Sequence, residues 1–205
     1  MRIYKALLGF TFAVCLMLTA PMAWADSDTG VESVRMIADV SQLEKGGSFL
    51  IGIEFKLLPH WHLYWSNPGE FGVAPEFEFE IPEGFSMGSL RWPTPMKFKQ
   101  RKDILGYGYE ETVMLSVPIQ SNPADTLGRN PQFTAQVRWL ACNLDRCVPG
   151  KQKVSHTISV RNDRILAYTQ EFEAHARSLP LDDPSRDELV TITKQGTLKA
   201  GGAPA

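Results

Sequence analysis

The chain has 205 residues, of which 43% are hydrophobic and 21% are charged, and its formal net charge is -2. This length suits one domain of ordinary size, and the composition is typical of a folded globular protein. The balance of charges argues against a basic surface for nucleic acid and against an acidic, disordered tail. We therefore expect one folded domain with short extensions at its ends.

The first 25 residues have the pattern of a secretory signal peptide. Arg2 and Lys5 supply a positive start, residues 6–18 are mostly apolar, and Ala23-Trp24-Ala25 places small residues where signal peptidase cleaves. The apolar run is too short for a good membrane-spanning helix. We expect residues 1–25 to be removed and the mature protein to be soluble in the periplasm.

The rest of the chain is dominated by short stretches in which apolar and polar residues alternate. A period of two buries one face of a β-strand and leaves the other in water. Clear alternation is found at residues 51–57, 76–81, 112–119, 132–139 and 154–160, and weaker candidates lie at 31–40, 60–66 and 85–91.

Turn-forming residues separate these stretches. They are Lys45-Gly46-Gly47, Asn67-Pro68-Gly69, Pro82-Glu83-Gly84, Asn122-Pro123 and Pro149-Gly150. Seven or eight short strands at this spacing predict an all-β, immunoglobulin-like β-sandwich, with a barrel as the alternative. Strands and helices do not alternate, which argues against a parallel α/β sheet.

One C-terminal helix is predicted after the strands. Asn162 or Asp163 is a suitable cap, apolar residues recur at roughly helical spacing over residues 165–179, and Pro180 ends the pattern.

The chain beyond this helix turns polar. We expect residues 26–180 to form the domain and residues 181–205 to be a flexible tail, in which the run 189–192 has weak strand character.

Two cysteines, Cys142 and Cys147, remain in the mature chain because Cys15 leaves with the signal peptide. An even pair in an oxidising compartment predicts a disulfide. The pair flanks a four-residue loop between two predicted strands. Opposite residues of antiparallel strands lie about 4.5–5.5 Å apart, within the range that a disulfide spans.

The short loop leaves the role of this bond open. In the chain-entropy model so small a loop stabilises by roughly 2 kcal/mol, against about 4.7 for 100 residues, which is little for a structural staple. A bond at a loop tip is also accessible to an attacking thiolate. Arg146 favours a thiolate at Cys147 and Asp145 opposes it. A structural disulfide and a redox-active one are both compatible with this spacing.

Histidines raise the question of a metal site. His60, His62 and His156, together with the cysteines, are ligand types that copper accepts, but the chain shows no recognisable zinc spacing. His156 shares a strand face with apolar residues, which favours a core histidine. We predict no metal and no cofactor.

Two aromatic segments have alternative interpretations. Trp61, Tyr64 and Trp65 are expected to pack in the core, while the polar ends of Tyr64 and His62 are also suited to line a redox site. Residues 106–109 lie between strand candidates, either as an ordinary connection or as a loop that covers a reactive disulfide.

Motifs of other chemistries are missing from the sequence. It contains no serine-nucleophile elbow, phosphate-binding glycine loop or dinucleotide fingerprint. It also lacks Cys-x-x-Cys, so a thioredoxin-like fold is not expected.

Four segments together resemble the N-terminal periplasmic domain of the DsbD and ScsB thiol-disulfide reductases. They are residues 60–69 (HWHLYWSNPG), 91–95 (RWPTP), 107–110 (YGYE) and 142–149 (CNLDRCVP). The resemblance covers about residues 34–180. It implies an immunoglobulin-like domain whose active cysteine pair lies on adjacent strands.

The resemblance also implies roles for individual residues. Cys142 and Cys147 match the active pair, and His62 and Tyr64 match aromatic positions beside it. The covering loop of the family falls loosely near Asp103, Leu105 and Tyr107.

The functional expectation is a periplasmic protein-disulfide reductase. In the family this domain receives electrons from a thioredoxin-like domain that is reduced through a membrane-embedded part, and passes them to periplasmic disulfide proteins. This sequence shows neither part, so either the reductase is another chain, which we expect, or the protein has lost that cycle. We expect no nucleic-acid partner. The alternatives are a non-enzymatic immunoglobulin-like binding module with a structural disulfide, and a periplasmic copper-handling protein that uses His62 and the thiols.

Overall fold

The computed structural model describes residues 29–100 and 103–181. These residues form thirteen strands and one helix. The predicted signal peptide, most of the predicted tail and the run 189–192 lie outside the described residues.

The strands follow one another with short connections. Their bounds are β1 Val31–Ala38, β2 Val40–Glu44, β3 Ser48–Leu57, β4 His62–Gly69, β5 Glu76–Glu80, β6 Phe85–Met87, β7 Met96–Lys99, β8 Leu105–Glu110, β9 Thr112–Ser121, β10 Gln132–Cys142, β11 Cys147–Thr157, β12 Ser159–Arg161 and β13 Ile165–Leu166, and the helix α1 spans Thr169–Ser178.

Two antiparallel sheets make an immunoglobulin-like β-sandwich, as the alternation predicts. One has the strand order β1-β3-β9-β6, and the other has the order β11-β10-β4-β8-β7 with β5 also paired to β10. Their inner faces meet through aromatic rings: Phe49 lies 5.4 Å from Phe133, and Phe55 lies 5.7 Å from Trp139, each pair edge to face. Such ring contacts stabilise a core by more than the burial of their apolar area alone would.

The outer face of the first sheet is covered by α1. Phe172, Ala176 and Leu179 recur at helical spacing and pack on Leu50 and other buried residues of the sheet. Gly52 makes room for this packing. A Cβ there would lie 3.3 Å from the Phe172 ring and would overlap the side chain of Met114.

The predicted start of the helix is wrong. Ile165 and Leu166 form strand β13 against β2, so their backbone groups are already paired. The helix begins at Thr169, after Tyr168 in a left-handed conformation with φ 50° and without a side-chain cap. Its predicted end is confirmed, since Leu179 is extended, as a residue before proline prefers.

Two predicted turns and one predicted connection are also wrong. Asn67-Pro68-Gly69 belongs to β4, whose register with β8 shifts between Tyr64 and Gly69. Pro149-Gly150 belongs to β11, the outermost strand of its sheet, where a proline is tolerated. Residues 106–109 lie inside β8 rather than between strands. The other three predicted turns lie between strands as expected.

A buried carboxylate joins the first sheet to the segment that leads into α1. Asp39 accepts a hydrogen bond from the Leu50 amide at 2.8 Å through Oδ1, and its Oδ2 lies 3.4 Å from Arg164 Nη2. Its main-chain carbonyl accepts a hydrogen bond from the Ala167 amide at 2.8 Å. Burial raises the pKa of Asp39 from 3.8 to about 6, although the Leu50 hydrogen bond and the Arg164 charge both oppose the rise.

Asp39 therefore gives the folded protein a measurable pH dependence. The unfolded chain releases this proton near pH 4 and the folded protein near pH 6, so stability from this group is lost as the pH rises between them. Asp39→Asn keeps an acceptor for the Leu50 amide and does not titrate. We expect the free energy of unfolding of the natural protein, minus that of the variant, to fall by about 2–3 kcal/mol from pH 4 to pH 7. Urea denaturation across this range measures it, and a constant difference would contradict the assignment.

Candidate functional site

The two cysteines close the hairpin formed by β10 and β11. The strands pair without interruption from Gln132 and Thr157 to Cys142 and Cys147, which form the last pair. The two cysteines are joined by a disulfide, and their Cα atoms lie 4.0 Å apart. The predicted bond and its place at the end of a hairpin are both confirmed.

The loop between the cysteines is held by its own hydrogen bonds. Asn143 Oδ1 accepts hydrogen bonds from the amides of Asp145 at 2.8 Å and Arg146 at 2.9 Å. The Asn143 amide donates to the Arg146 carbonyl at 2.9 Å. The Arg146 guanidinium also lies over the Trp61 ring, 5.6 Å from its centroid. The loop is therefore ordered at both of its ends.

The two sulfur-bearing residues differ in exposure. Cys142 is fully buried, because β10 has β11 on one side and His62 of β4 on the other. Cys147 is exposed, because it begins the outermost strand of the sheet. Cys147 is therefore the more accessible residue of the pair.

His62 and Tyr64 lie beside the disulfide on the outer face of the sheet. His62 is the residue opposite Cys142 across the β10–β4 pair, and Tyr64 follows it on the same face of β4. The two rings are perpendicular, with centroids 5.3 Å apart, and both side chains are buried. The predicted neighbours of the cysteines are thus brought to one place.

Strand β7 and the residue that follows it supply the cover over these two rings. Phe98 lies 4.1 Å from the His62 ring and 6.0 Å from the Tyr64 ring. The Gln100 side-chain nitrogen lies 3.0 Å from His62 Nε2 and also donates to the Tyr64 hydroxyl. Sequence reasoning missed Phe98 and Gln100, although both lie only a few residues before the segment that the resemblance marked.

Glycines in β8 allow Phe98 to reach His62. Phe98 pairs with Gly106, and Tyr64 pairs with Gly108, on the same face. A Cβ on Gly106 would come within 2.6 Å of the Phe98 ring. The ring therefore lies across a strand that presents no side chain at this point.

The three predicted covering residues lie on the same hairpin but at other positions. Asp103 is in the turn with φ 60°, and it forms an exposed ion pair with Lys99 at 3.1 Å. Leu105 and Tyr107 alternate with the glycines of β8, which directs them to the opposite face from Phe98. Their part in covering the site stays a prediction.

Burial keeps both the His62 and the Tyr64 side chains uncharged near pH 7. It lowers the pKa of His62 from 6.5 to about 4. It also raises the pKa of Tyr64, against the opposing effect of the Gln100 hydrogen bond. His62 is therefore an uncharged imidazole at neutral pH, and its ring serves as a packing surface beside Cys142.

The other predicted candidates are dispersed. His60 lies in the turn before β4 with φ 67°, so it does not share a strand face with His62. His156 is half-buried, and its ring lies 6.5 Å from that of Tyr168. Trp61 is in the core, as predicted, and Trp65 is partly buried against it. Across residues 29–100 and 103–181, no group of three or more His, Cys, Asp or Glu residues could hold a metal ion.

The fold and the site together define a class of protein. It is an immunoglobulin-like sandwich in which a cysteine pair closes one exposed hairpin. Residues 33–159 match the family model of the thiol:disulfide interchange protein DsbD, N-terminal. The match covers more than half of the chain, and the chain belongs to this family.

Solved structures give more distant similarities. The N-terminal periplasmic domain of ScsB from Proteus mirabilis is 22% identical, with 74% of this chain and 59% of that chain covered and a TM-score of 0.49. The DsbD N-terminal domain of Neisseria meningitidis in the reduced form is 11% identical, with 67% and 90% covered and a TM-score of 0.37. This chain thus spans about three-fifths of the ScsB chain.

Two further comparisons are negative. No curated protein matches the chain. Within the part of the chain that the structure describes, no helix is long and apolar enough to cross a membrane.

Removal of Phe98 tests whether β7 shields the site. In Phe98→Ala we expect the pKa of His62 to rise from about 4 toward 6.5, because water gains access to the imidazole. Proton NMR titration of the ring measures this. Met96→Ala, two residues earlier on the same strand and already 44% exposed, is the matched control and should leave His62 unchanged. An unaltered pKa in Phe98→Ala would assign the shielding to other residues.

Proposed function

We propose that this protein is a periplasmic thiol-disulfide exchange protein that works through Cys142 and Cys147. It passes electrons between a membrane-linked or thioredoxin-like reductase on another chain and periplasmic disulfide proteins. The observation that carries the proposal is the asymmetric pair: an exposed Cys147 bonded to a buried Cys142 at the end of a hairpin. Membership in the DsbD N-terminal family supports it.

The electron-accepting half-reaction begins at the exposed sulfur. A thiolate of the reduced partner attacks Cys147 Sγ, the bond to Cys142 breaks, and Cys142 leaves as a thiolate that takes up a proton. The second thiolate of the partner then attacks the partner's first sulfur in the mixed disulfide and releases Cys147 as a thiolate. The partner dithiol is oxidised to a disulfide, and this pair is reduced by two electrons.

The electron-donating half-reaction reverses these roles. Cys147, as a thiolate, attacks a disulfide of the substrate protein, and one substrate sulfur leaves as a thiolate. Cys142, whose Cα atom lies 4.0 Å from that of Cys147 in the disulfide-bonded structure, attacks Cys147 in the mixed disulfide and re-forms the original bond. The second substrate sulfur leaves, so the substrate is reduced and the pair is oxidised.

The surroundings of the pair suit this exchange. The hairpin of β7 and β8 covers His62 and Tyr64 through Phe98 and Gln100, and limits access on that side. Phe71 and Val73 are about half exposed and flank Gly72, where a Cβ would overlap the Tyr64 ring. They supply an apolar contact surface near the site for a partner protein.

The reduction potential separates exchange from a structural staple. We expect a value of about -120 to -270 mV for the Cys142–Cys147 bond, the range of known exchange proteins. Equilibration in glutathione buffers followed by thiol trapping measures it. A value below about -300 mV would favour the non-enzymatic binding module with a structural disulfide.

Single-cysteine variants test which sulfur reacts. Cys142→Ser leaves an exposed thiol at position 147, and Cys147→Ser leaves a buried thiol at position 142. Because reaction requires access to the sulfur, we expect iodoacetamide to label Cys142→Ser about tenfold faster or more. The two variants should label at similar rates once unfolded in urea, which is the control. Equal rates in the folded proteins would remove the assignment of Cys147 as the attacked sulfur.

A further inference from the structure

We infer that Arg146 and Trp61 form a clamp that keeps the loop between the cysteines closed and thereby sets the equilibrium between disulfide and dithiol. Arg146 acts here as a positioning residue, through Trp61, and not on the sulfur itself. The inference deepens the proposed function and rests on the same site. The equilibrium is, however, a property of the cysteine pair and is measured without any partner protein.

The Trp61 ring is a fixed platform. Its side chain is only 6% exposed and belongs to the main core. The ring lies against Gly30, where a Cβ would overlap it and would also lie 2.8 Å from the Ala141 side chain. Trp61 is therefore anchored beneath the last residues of β10 by packing that does not involve the disulfide.

Arg146 reaches this platform from the far end of the loop. Its guanidinium carbon lies 5.6 Å from the Trp61 ring centroid, within the distance of a cation–π contact. Arg146 directly precedes Cys147, so the contact holds the Cys147 end of the loop against the core. The Asn143 side chain, which binds the Arg146 amide at 2.9 Å, holds the same residue from the Cys142 end.

The two faces of the hairpin separate Arg146 from the sulfurs. Ala141 and Trp61 are core residues, whereas Cys142 alternates with Ala141 and lies on the outer face beside His62. The guanidinium lies over the core-side ring, and the disulfide is on the other side of the sheet. This placement favours a mechanical role in loop closure over direct stabilisation of a thiolate.

The clamp and the disulfide both close the same loop, so a change in the clamp changes the stability of the disulfide. In the reduced protein a closed loop keeps the two thiols together and raises their effective concentration, which favours the disulfide. Loss of the clamp lets the reduced loop open, so the disulfide becomes easier to reduce. An exposed cation–π contact of ordinary strength changes such an equilibrium by about three- to fivefold.

Direct electrostatics predicts the opposite sign. A cation that stabilised the Cys147 thiolate would favour the reduced form, and its removal would make the disulfide harder to reduce. The direction of the change therefore distinguishes a clamp from a thiolate-stabilising charge.

The test is Arg146→Gln, equilibrated with glutathione at pH 7 and analysed by thiol trapping. We expect the effective concentration of the thiols to fall about three- to fivefold, which corresponds to a potential about 15–20 mV less negative. Arg146→Lys retains a cation and should show a smaller change. Arg138→Gln, on the same hairpin but ion-paired with Glu78, is the matched control and should leave the equilibrium unchanged.

A double-mutant cycle shows whether Arg146 works through Trp61. In a Trp61→Phe background, whose ring binds cations more weakly, the effect of Arg146→Gln should shrink. An unchanged equilibrium in Arg146→Gln, a more negative potential, or an effect of equal size in both backgrounds would each overturn the clamp. A potential of the natural protein more negative than the range of known exchange proteins would instead count against the proposed function, whatever the effect of Arg146.

Discussion

The uninterrupted register of β10 with β11 is the constraint on which the site depends. Because side chains alternate between faces, a slip of one residue would move every side chain of a strand to the other face. Phe133, Ala135, Val137 and Ala141 are fully buried in the core and hold β10 in place. Cys142 is then directed to the outer face, directly opposite Cys147. The packing of the sandwich thus determines that the two sulfurs meet.

An outer face of a sandwich normally meets water, so burying a residue there requires a further layer. The two sheets obtain this layer in similar ways: α1 packs over Gly52 on one, and Phe98 packs over Gly106 on the other. In each case a glycine within the strand leaves space for an aromatic ring. On the second sheet the added ring lies 4.1 Å from His62, whose imidazole has a pKa lowered by burial.

Local sequence was a good guide where local pattern decides the structure. Alternation located the long strands, and hairpin geometry placed the disulfide, because both depend on neighbouring residues alone. The start of α1 was not predictable in this way, since Ile165 pairs with Gln42, far away in sequence. Pro149 signals a turn unless β11 is known to be an edge strand. Phe98 and Gln100 were missed because β7 is four residues long and contacts the site only through tertiary packing.

The small size of the disulfide loop means that the bond adds little to the stability of the fold. A loop this short contributes only roughly 2 kcal/mol in the chain-entropy model, a modest part of the 5–15 kcal/mol typical of a folded domain. The sandwich core, which includes Trp61 and Ala141, is assembled from both sheets and does not depend on the bond. Cys147 lies on the outermost strand, whereas Cys142 is fixed between β4 and β11. A pair with one anchored and one accessible sulfur can change its bond while its surroundings remain in place.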